Sequence, residues 1–258
     1  MDNIKLKNTI EALLDTFLKA GKIAKEISER GVKVTIKSDK SPVTDGDLAV
    51  DKILREKIEN LTPSIPIISE ETVNLNIKNE YKNFWLIDPI DGTKDYIKKK
   101  DEYTLNAALI MDLKPAAGII YAPAKERLFF SYGKSLAYEV FKGKTLQLNC
   151  SKKNLGKVIG LENTNHTPIE ILNIYKKYNV SETRKMSSSF KFCVLAAGEA
   201  DIYAANARAY EWDIAAGHTI LVHAGGSMTT HDGKEFLYGK ENYKNLSIVA
   251  KRSENLEK

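Results

Sequence analysis

Residues 85–93 read Trp85-Leu86-Ile87-Asp88-Pro89-Ile90-Asp91-Gly92-Thr93, which joins an apolar strand to two closely spaced acids. The apolar run ends at Asp88, and a proline-fixed turn places Asp91 three residues later. Two carboxylates at this spacing can share hard cations, which prefer oxygen ligands. A helix that begins directly afterwards would turn free backbone amides toward an anion, those of Gly92, Thr93 and Lys94. The stretch therefore predicts metal ions beside an anion-binding helix start, a combination suited to phosphate chemistry.

The composition of the 258 residues is that of an ordinary globular protein, with 43% hydrophobic and 28% charged residues. The net charge is +5, but the basic residues are scattered, which argues against a nucleic-acid-binding module. Cys150 and Cys193 are isolated, so neither a disulfide framework nor a zinc site is indicated. No apolar stretch has the length of a membrane span, and no signal peptide is visible. We expect a cytoplasmic protein without an integral membrane segment, and leave open peripheral membrane association and the choice between monomer and homodimer.

Hydrophobic periodicity predicts alternating helices and strands along the chain. A long first helix ends near Gly31, and a second is expected from about Thr44 to Asn60, where Thr44 and Asp47 resemble a capping box. The middle of the chain contains a series of strand-like runs, at 84–88, 103–111, 116–121, 128–131 and 136–141. The segment 149–156 is polar and marks a boundary. We expect a layered α/β fold with two units, 1–148 and 149–258.

Acids at the ends of strands or the starts of helices occupy positions where layered folds assemble their sites. Five such acids are Asp45, Glu70, Asp88, Asp91 and Asp213. Together they can hold two or three magnesium ions, and paired metals lower the pKa of a bound water. The Thr93 hydroxyl can relay a proton from that water to a carboxylate such as Asp45. A single acid is more often a helix cap or a solvated turn, as Asp213 alone would suggest. The combination favours a metal site, with most ligands in unit 1–148 and Asp213 in the second unit.

Three short boxes resemble the signature boxes of the inositol monophosphatase superfamily: Ile68-Ser69-Glu70-Glu71, Asp88-Pro89-Ile90-Asp91-Gly92-Thr93 and Trp212-Asp213-Ile214-Ala215-Ala216-Gly217. Their order and separations are similar to those of the family, so the resemblance covers essentially the whole chain. It implies an αβαβα sandwich and a magnesium-dependent, typically lithium-sensitive phosphomonoesterase. The implied metal ligands are Glu70, Asp88, Asp91, Asp213 and the carbonyl of Ile90. The implied catalytic residues are Asp45, Thr93 and Glu70, of which Asp45 and Thr93 match the pair that activates the water.

Further segments are similar to one branch of this superfamily, the CysQ-type 3'(2'),5'-bisphosphate nucleotidases. They read GTKDYI at 92–97, GIIYAPA at 118–124 and SSFKFC at 188–193. The resemblance implies that Ser188 and Lys191 lie near a phosphate of the nucleotide, and that residues 92–94 and Asp213 also contact the substrate. A surface position for Lys191 on an amphipathic helix is an equally good interpretation. The implied reaction converts 3'-phosphoadenosine 5'-phosphate to AMP and phosphate.

Two departures from that branch concern the substrate. Relatives often carry an SRSH box where this chain reads Glu162-Asn163-Thr164-Asn165-His166, so the histidine is kept in register but the arginine is missing. An isolated loop histidine is more often incidental than a ligand contact. Relatives also carry an arginine shortly after an Ala-Asp-x-Tyr run, whereas Arg208 stands three residues beyond Ala204-Ala205. His166 and Arg208 are nevertheless candidate substrate ligands.

Three classes of function are compatible with these residues. The first is hydrolysis of a bisphosphate nucleotide, with a small phosphorylated molecule as the only expected partner. The second is a phosphatase of the same superfamily that acts on an inositol or sugar phosphate. The third is a catalytically silent nucleotide-binding protein, which the presence of every expected metal ligand disfavours.

Overall fold

The computed structural model describes residues 1–37, 40–77, 80–151, 156–163, 166–253 and 256. Its α-helices span Asn3–Arg30 (α1), Asp45–Leu61 (α2), Thr93–Ile97 (α3), Ile169–Lys177 (α4), Phe190–Ala196 (α5) and Glu211–His223 (α6). Within these described residues, no helix is both long and apolar enough to cross a membrane. Thr164 and Asn165 of the predicted loop box, and residues 152–155 of the predicted boundary, lie outside the described residues.

The largest sheet of the described residues has seven strands. Its strands are Ile67–Ser69 (β3), Phe84–Asp91 (β4), Thr104–Met111 (β5), Lys114–Ala122 (β6), Arg127–Ser131 (β7), Ala137–Phe141 (β8) and Lys144–Gln147 (β9), in that spatial order. β3 runs parallel to β4, and every other neighbouring pair is antiparallel. A separate hairpin of Val34–Ile36 (β1) and Pro42–Thr44 (β2) leads into α2.

Helices α1 and α2 pack together and cover one face of this sheet. Both are amphipathic, and the apolar side of α1 recurs at helical spacing through Leu6, Ile10, Leu13 and Phe17. The expected capping box of α2 is confirmed. Thr44 accepts from the Asp47 amide, while the Asp47 carboxylate accepts from the Thr44 amide.

The second sheet is built from the C-terminal half of the chain. Its strands are Ile159–Glu162 (β10), Glu182–Lys185 (β11), Ile202–Ala205 (β12), Ser227–Thr230 (β13) and Ile248–Lys251 (β14), in the order β11-β10-β12-β14-β13. Parallel pairs join β10 to β11 and β12, and antiparallel pairs join β14 to β12 and β13.

Five layers result from these contacts. Helices α5 and α6 lie between the two sheets, since α6 contacts β4–β7 as well as β13, and α5 contacts both β6 and β12. Helix α4 packs on β12 from the far side. The expected αβαβα sandwich is therefore confirmed. The apolar core between the sheets combines residues such as Phe84 and Ala108 with Phe192 and Trp212, so both halves of the chain build it. The division at 148/149 stays a prediction.

Candidate active site

Three acids from separate elements converge at one end of the larger sheet. Glu70 directly follows β3, Asp88 lies within β4, and Asp213 lies in the first turn of α6. Each offers a carboxylate oxygen, and these oxygens lie within 4.8 Å of one another. The parallel pairing of β3 with β4 places Glu70 beside Asp88, because the Glu70 amide donates to the Ile87 carbonyl at 3.1 Å. The packing of α6 on β4 brings in Asp213.

Asp91 lies beside this cluster at an irregularity of β4, where the pairing with β5 shifts register after Asp88. The Ser189 amide, at the start of α5, donates to the Asp91 carboxylate. The Ile90 carbonyl is buried and accepts from the Thr93 hydroxyl at 3.1 Å. The structure thus brings all five expected metal ligands to one region, and their role as ligands stays a prediction.

The electrostatics of the cluster favour an added cation. Burial raises the pKa of Asp88 well above its ordinary value, and the charges of Glu70, Asp91 and Asp213 raise it further. Burial is also the main cause of the raised pKa of Asp213, and the charges of Asp91 and Glu70 raise it further. Burial raises the pKa of Asp91 to about 6. Among the described residues, Asp88 Oδ1 is buried without a hydrogen-bond partner. An oxygen-only donor set that contains an unsatisfied buried carboxylate oxygen fits a hard divalent cation.

The expected pairing of Asp45 with Thr93 is wrong. Asp47 Oδ1 lies 3.3 Å from the Thr93 hydroxyl, whereas the Asp45 carboxylate accepts from Arg30 Nη2 and from the Lys33 amide, both at 2.9 Å. The two acids stand two residues apart in α2, and a helix turns by about 200° over two residues, so they face different neighbours. Burial raises the pKa of Asp47 to about 6. The capping-box pattern already identified Asp47, but a cap uses only one of its carboxylate oxygens. Asp47 Oδ2 caps the helix, and Oδ1 faces Thr93.

Lys37 and Glu71 were not identified as site residues from the sequence. Lys37 Nζ lies 3.2 Å from Glu70 Oε1 and 2.8 Å from the Glu71 carboxylate. Burial raises the pKa of Glu71 to about 7. Burial lowers the pKa of Lys37, but the charges of Glu70 and Glu71 outweigh it, so the net shift is upward. The sequence offered two signals: Glu71 belongs to the box Ile68-Ser69-Glu70-Glu71, and Lys37 ends the segment 32–37, in which apolar and polar residues alternate.

A cavity of about 380 Å³ opens beside the acids. It is called the main cavity below for this position and not for its size, since cavities of about 700 and 450 Å³ lie elsewhere on the protein. Asp91 and Asp213 line it together with three expected substrate ligands, Ser188, Lys191 and Arg208. His166 is exposed and lines a smaller neighbouring cavity of about 80 Å³, which shares Arg208 with the main cavity.

The start of helix α3, which was expected to bind an anion, contributes only in part to this site. Lys94 is exposed and is not among the described residues that line the main cavity. Gly92 has a φ of 93°, and a Cβ there would lie 2.9 Å from the Glu102 carbonyl oxygen. Glycine is therefore required at the start of α3, because a side chain would both strain the backbone and collide with the neighbouring loop.

The alternative of a surface position for Lys191 is wrong, since only 5% of the residue is exposed. Its ammonium donates to the Ser188 carbonyl at 2.7 Å and lies 5.1 Å from the centre of the Tyr203 ring. Burial lowers the pKa of Lys191 to about 8, and the Asp91 carboxylate opposes that shift. A buried cation therefore lies at the wall of the main cavity, which Asp91, Asp213 and Arg208 also line.

The chain is similar to known proteins over most of its length. The sequence profile described as the inositol monophosphatase family matches residues 5–258. The 3'(2'),5'-bisphosphate nucleotidase CysQ of Buchnera aphidicola is 36% identical over 82% of this chain and 79% of its own length. The protein of the same name from Salmonella typhimurium is 35% identical over 78% of this chain and 81% of its length.

Solved structures share the fold. The crystal structure of CysQ from Bacteroides thetaiotaomicron, described as a bacterial member of the inositol monophosphatase family, superposes with a TM-score of 0.77 and 29% identity. It covers 95% of this chain and 97% of its own. The extragenic suppressor protein suhB from Bartonella henselae has a TM-score of 0.78 at 22% identity, over 96% of this chain and 95% of its own, which shows the fold alone. The three sequence boxes, the αβαβα layers and the match over residues 5–258 agree, and the chain belongs to the inositol monophosphatase family.

Proposed function

We propose that this protein is a magnesium-dependent phosphomonoesterase that hydrolyses 3'-phosphoadenosine 5'-phosphate, or another 3'(2'),5'-bisphosphate nucleotide, to the 5'-monophosphate and phosphate. One observation carries the proposal. The cluster of Glu70, Asp88 and Asp213 shares Asp213 with the main cavity, and that cavity also holds the cations Lys191 and Arg208. A divalent cation and the positive charges of Lys191 and Arg208 in one cavity suit a substrate with two phosphates.

The acids would hold the metal, and the remaining residues would handle the water. Glu70, Asp88 and Asp213 are the proposed ligands, together with Asp91 and the Ile90 carbonyl. Magnesium bound there would polarise the phosphate and lower the pKa of the attacking water. Two or three ions are compatible with five ligands, because magnesium keeps several waters and uses phosphate oxygens.

Thr93 and Asp47 would take the proton of the water. The Thr93 hydroxyl lies 3.3 Å from Asp47 Oδ1 and 3.1 Å from the Ile90 carbonyl. In the proposed step it would accept a hydrogen bond from the water and give its single hydrogen to Asp47, since the Ile90 carbonyl would then face the metal. The raised pKa of Asp47, about 6, makes its carboxylate a stronger base than an ordinary aspartate while it stays ionised at neutral pH. Attack forms a bond from the water oxygen to phosphorus and breaks the bond to the ribose 3'-oxygen. That oxygen leaves and takes a proton from solvent water, and the proton held by Asp47 returns to solvent.

Lys191 and Arg208 would bind the phosphate that is not cleaved. Lys191 is buried and fixed by the Ser188 carbonyl, whereas Arg208 is exposed at the cavity rim. A charge-assisted contact of this kind contributes roughly 1.5–3 kcal/mol. A substrate without the 5'-phosphate would lose both contacts.

The test is release of phosphate, with magnesium, from 3'-phosphoadenosine 5'-phosphate, inositol 1-phosphate and fructose 1,6-bisphosphate. Inositol 1-phosphate has no second phosphate, and one lost charge-assisted contact corresponds to at least about tenfold in kcat/KM, so we expect at least that preference for the nucleotide over inositol 1-phosphate. Chelation by EDTA should stop the reaction. A preference for either of the other substrates would overturn the nucleotide assignment.

An inositol or sugar phosphate remains the second candidate. The position of His166 outside the main cavity and the exposure of Arg208 favour it, because both leave fewer fixed contacts for a second phosphate. Under this alternative the metal ligands and the Thr93–Asp47 pair keep the same roles.

A further inference from the structure

Glu211 is a wholly buried carboxylate that does not take part in the proposed chemistry. It opens α6, two residues before Asp213, and none of its surface is exposed. Its two oxygens accept from the amides of Gly239 and Lys240, each at 2.9 Å. Lys240 Nζ lies 2.7 Å from Glu211 Oε1, and it also stacks over the Phe236 ring at 4.2 Å. The carboxylate thus binds both the backbone and the side chain of one segment, residues 239–245, called the strap below.

The strap has a strained backbone. Asn242 and Tyr243 have φ values of 52° and 54°, in the left-handed region that bulky residues avoid. Such conformations persist only where the surrounding structure determines them. The Tyr243 ring packs 6.1 Å from the Trp212 ring and 6.2 Å from Phe84. The Glu211 contacts hold the strap immediately before its strained residues.

The strap ends in the wall of the main cavity. Asn245 donates its backbone amide to the Ala209 carbonyl at 2.9 Å and its side-chain amide to the Tyr210 carbonyl. Asn245 and Leu246 both line the main cavity. The Tyr210 amide in turn donates to Asp213 Oδ2 at 2.8 Å. The start of α6 therefore anchors an expected metal ligand on one side and the cavity wall on the other.

Resting on the proposed function, we infer that Glu211 is a positioning residue that fixes the Asn245–Leu246 wall of the substrate cavity relative to Asp213. The physical reason lies in the number of acceptors. A carboxylate supplies an acceptor oxygen to each of the two strap amides, whereas a glutamine supplies one oxygen and one NH₂ group. In Glu211→Gln, one strap amide would face a donor, and the strained strap would relax away from α6.

The matched experiment compares Glu211→Gln with Glu139→Gln. Glu139 is also buried and ion-paired, with Arg127, but it lies on β8 and is not among the described residues that line the main cavity. Steady-state rates would be measured with 3'-phosphoadenosine 5'-phosphate and with the small substrate 4-nitrophenyl phosphate. We expect Glu211→Gln to raise KM for the nucleotide about tenfold, equivalent to about 1.4 kcal/mol. The turnover number and the KM of the small substrate should change less than about threefold, because the metal ligands stay in place.

Hydrogen exchange gives a readout that does not depend on the substrate. Amides of residues 239–246 should exchange at least about tenfold faster in Glu211→Gln than in the wild type, because their opening costs less free energy. Glu139→Gln should leave them unchanged. Unaltered exchange in the strap, or an equal KM effect on both substrates, would overturn the inference. A wild-type enzyme that does not hydrolyse the nucleotide would instead overturn the proposed function, and the exchange experiment would still test Glu211.

Lys240→Met is a second variant for the case that Glu211→Gln does not fold. It removes the ion pair but keeps both backbone hydrogen bonds to Glu211. As in Glu211→Gln, we expect KM for the nucleotide to rise, but only about threefold, since one of the three contacts between Glu211 and the strap is lost. A folded Lys240→Met protein with unchanged KM and unchanged strap exchange would contradict the inference.

Discussion

Two kinds of buried carboxylate in this protein differ in what neutralises them. Asp201 and Glu211 each contact a cation of the chain, with Arg252 Nη2 2.6 Å from Asp201 and Lys240 Nζ 2.7 Å from Glu211. In the acidic cluster of Glu70, Asp88 and Asp213, Lys37 Nζ lies 3.2 Å from Glu70 Oε1, and the buried Asp88 Oδ1 has no hydrogen-bond partner among the described residues. A partnered buried charge holds elements together. A cluster of like charges costs stability unless a ligand supplies the missing positive charge.

The largest expected effect distinguishes the two kinds of buried carboxylate by mutation of one member of each. Asp88→Asn should reduce turnover to near background, because a charged metal ligand is lost, while the metal-free protein keeps its fold and gains a few degrees in midpoint temperature. Asp201→Asn should leave Arg252 buried without its carboxylate and cost about 3–5 kcal/mol of stability. Phosphate release and thermal unfolding in EDTA would measure both. Wild-type turnover in Asp88→Asn would contradict the metal assignment.

The next effect concerns Asp47 and Thr93, the pair proposed to activate the water. Asp47→Asn and Thr93→Ala should each lower the turnover number by about 10²-fold with little change in KM, since general-base assistance is worth roughly 10²–10⁴-fold. Asp45→Asn is the matched control on the same helix, and it should leave turnover within about threefold because its carboxylate contacts Arg30 and Lys33 instead. A larger loss in Asp45→Asn than in Asp47→Asn would reverse the assignment.

A smaller effect is expected at the cations of the main cavity. Lys191→Ala and Arg208→Ala should each lower kcat/KM for the bisphosphate nucleotide by roughly tenfold to a hundredfold, as expected for loss of a charge-assisted contact of roughly 1.5–3 kcal/mol. The same variants should affect adenosine 3'-monophosphate much less. Parallel kinetics on the two substrates would measure the difference. Equal losses on both would indicate that these side chains support the fold rather than bind the second phosphate.

The smallest expected effect is a pH dependence of stability without metal. Burial raises the pKa of Asp91 from 3.8 to about 6, so the folded state holds a proton at pH values where the unfolded chain has lost it. Stability from this group is therefore lost as the pH rises from about 4 to 6. Urea unfolding of the wild type and of Asp91→Asn in EDTA would show a smaller fall between these pH values in the variant. Identical pH profiles would mean that Asp91 titrates normally.

Local patterns in the sequence predicted much of the fold. Periodicity located both long N-terminal helices, and the apolar run at 84–88 became the core of β4. The capping pattern of Thr44 and Asp47 was correct, because a cap involves residues three positions apart. The strands Glu182–Lys185 and Lys144–Gln147 were missed. Three of four residues in the first and all four in the second are exposed, so neither carries a hydrophobic signal.

The sequence by itself determined the family, since three ordered boxes identify it, and it placed acids at the ends of the correct elements. Only the tertiary structure decided which neighbours those acids have. Asp47 rather than Asp45 meets Thr93, Lys191 is buried, and Lys37 reaches Glu70 across 33 positions of the chain. Spacing along a chain fixes the direction of a side chain within its own helix or strand. Which side chain lies opposite depends on how the layers pack, and that packing is set by the whole apolar core rather than by any local stretch.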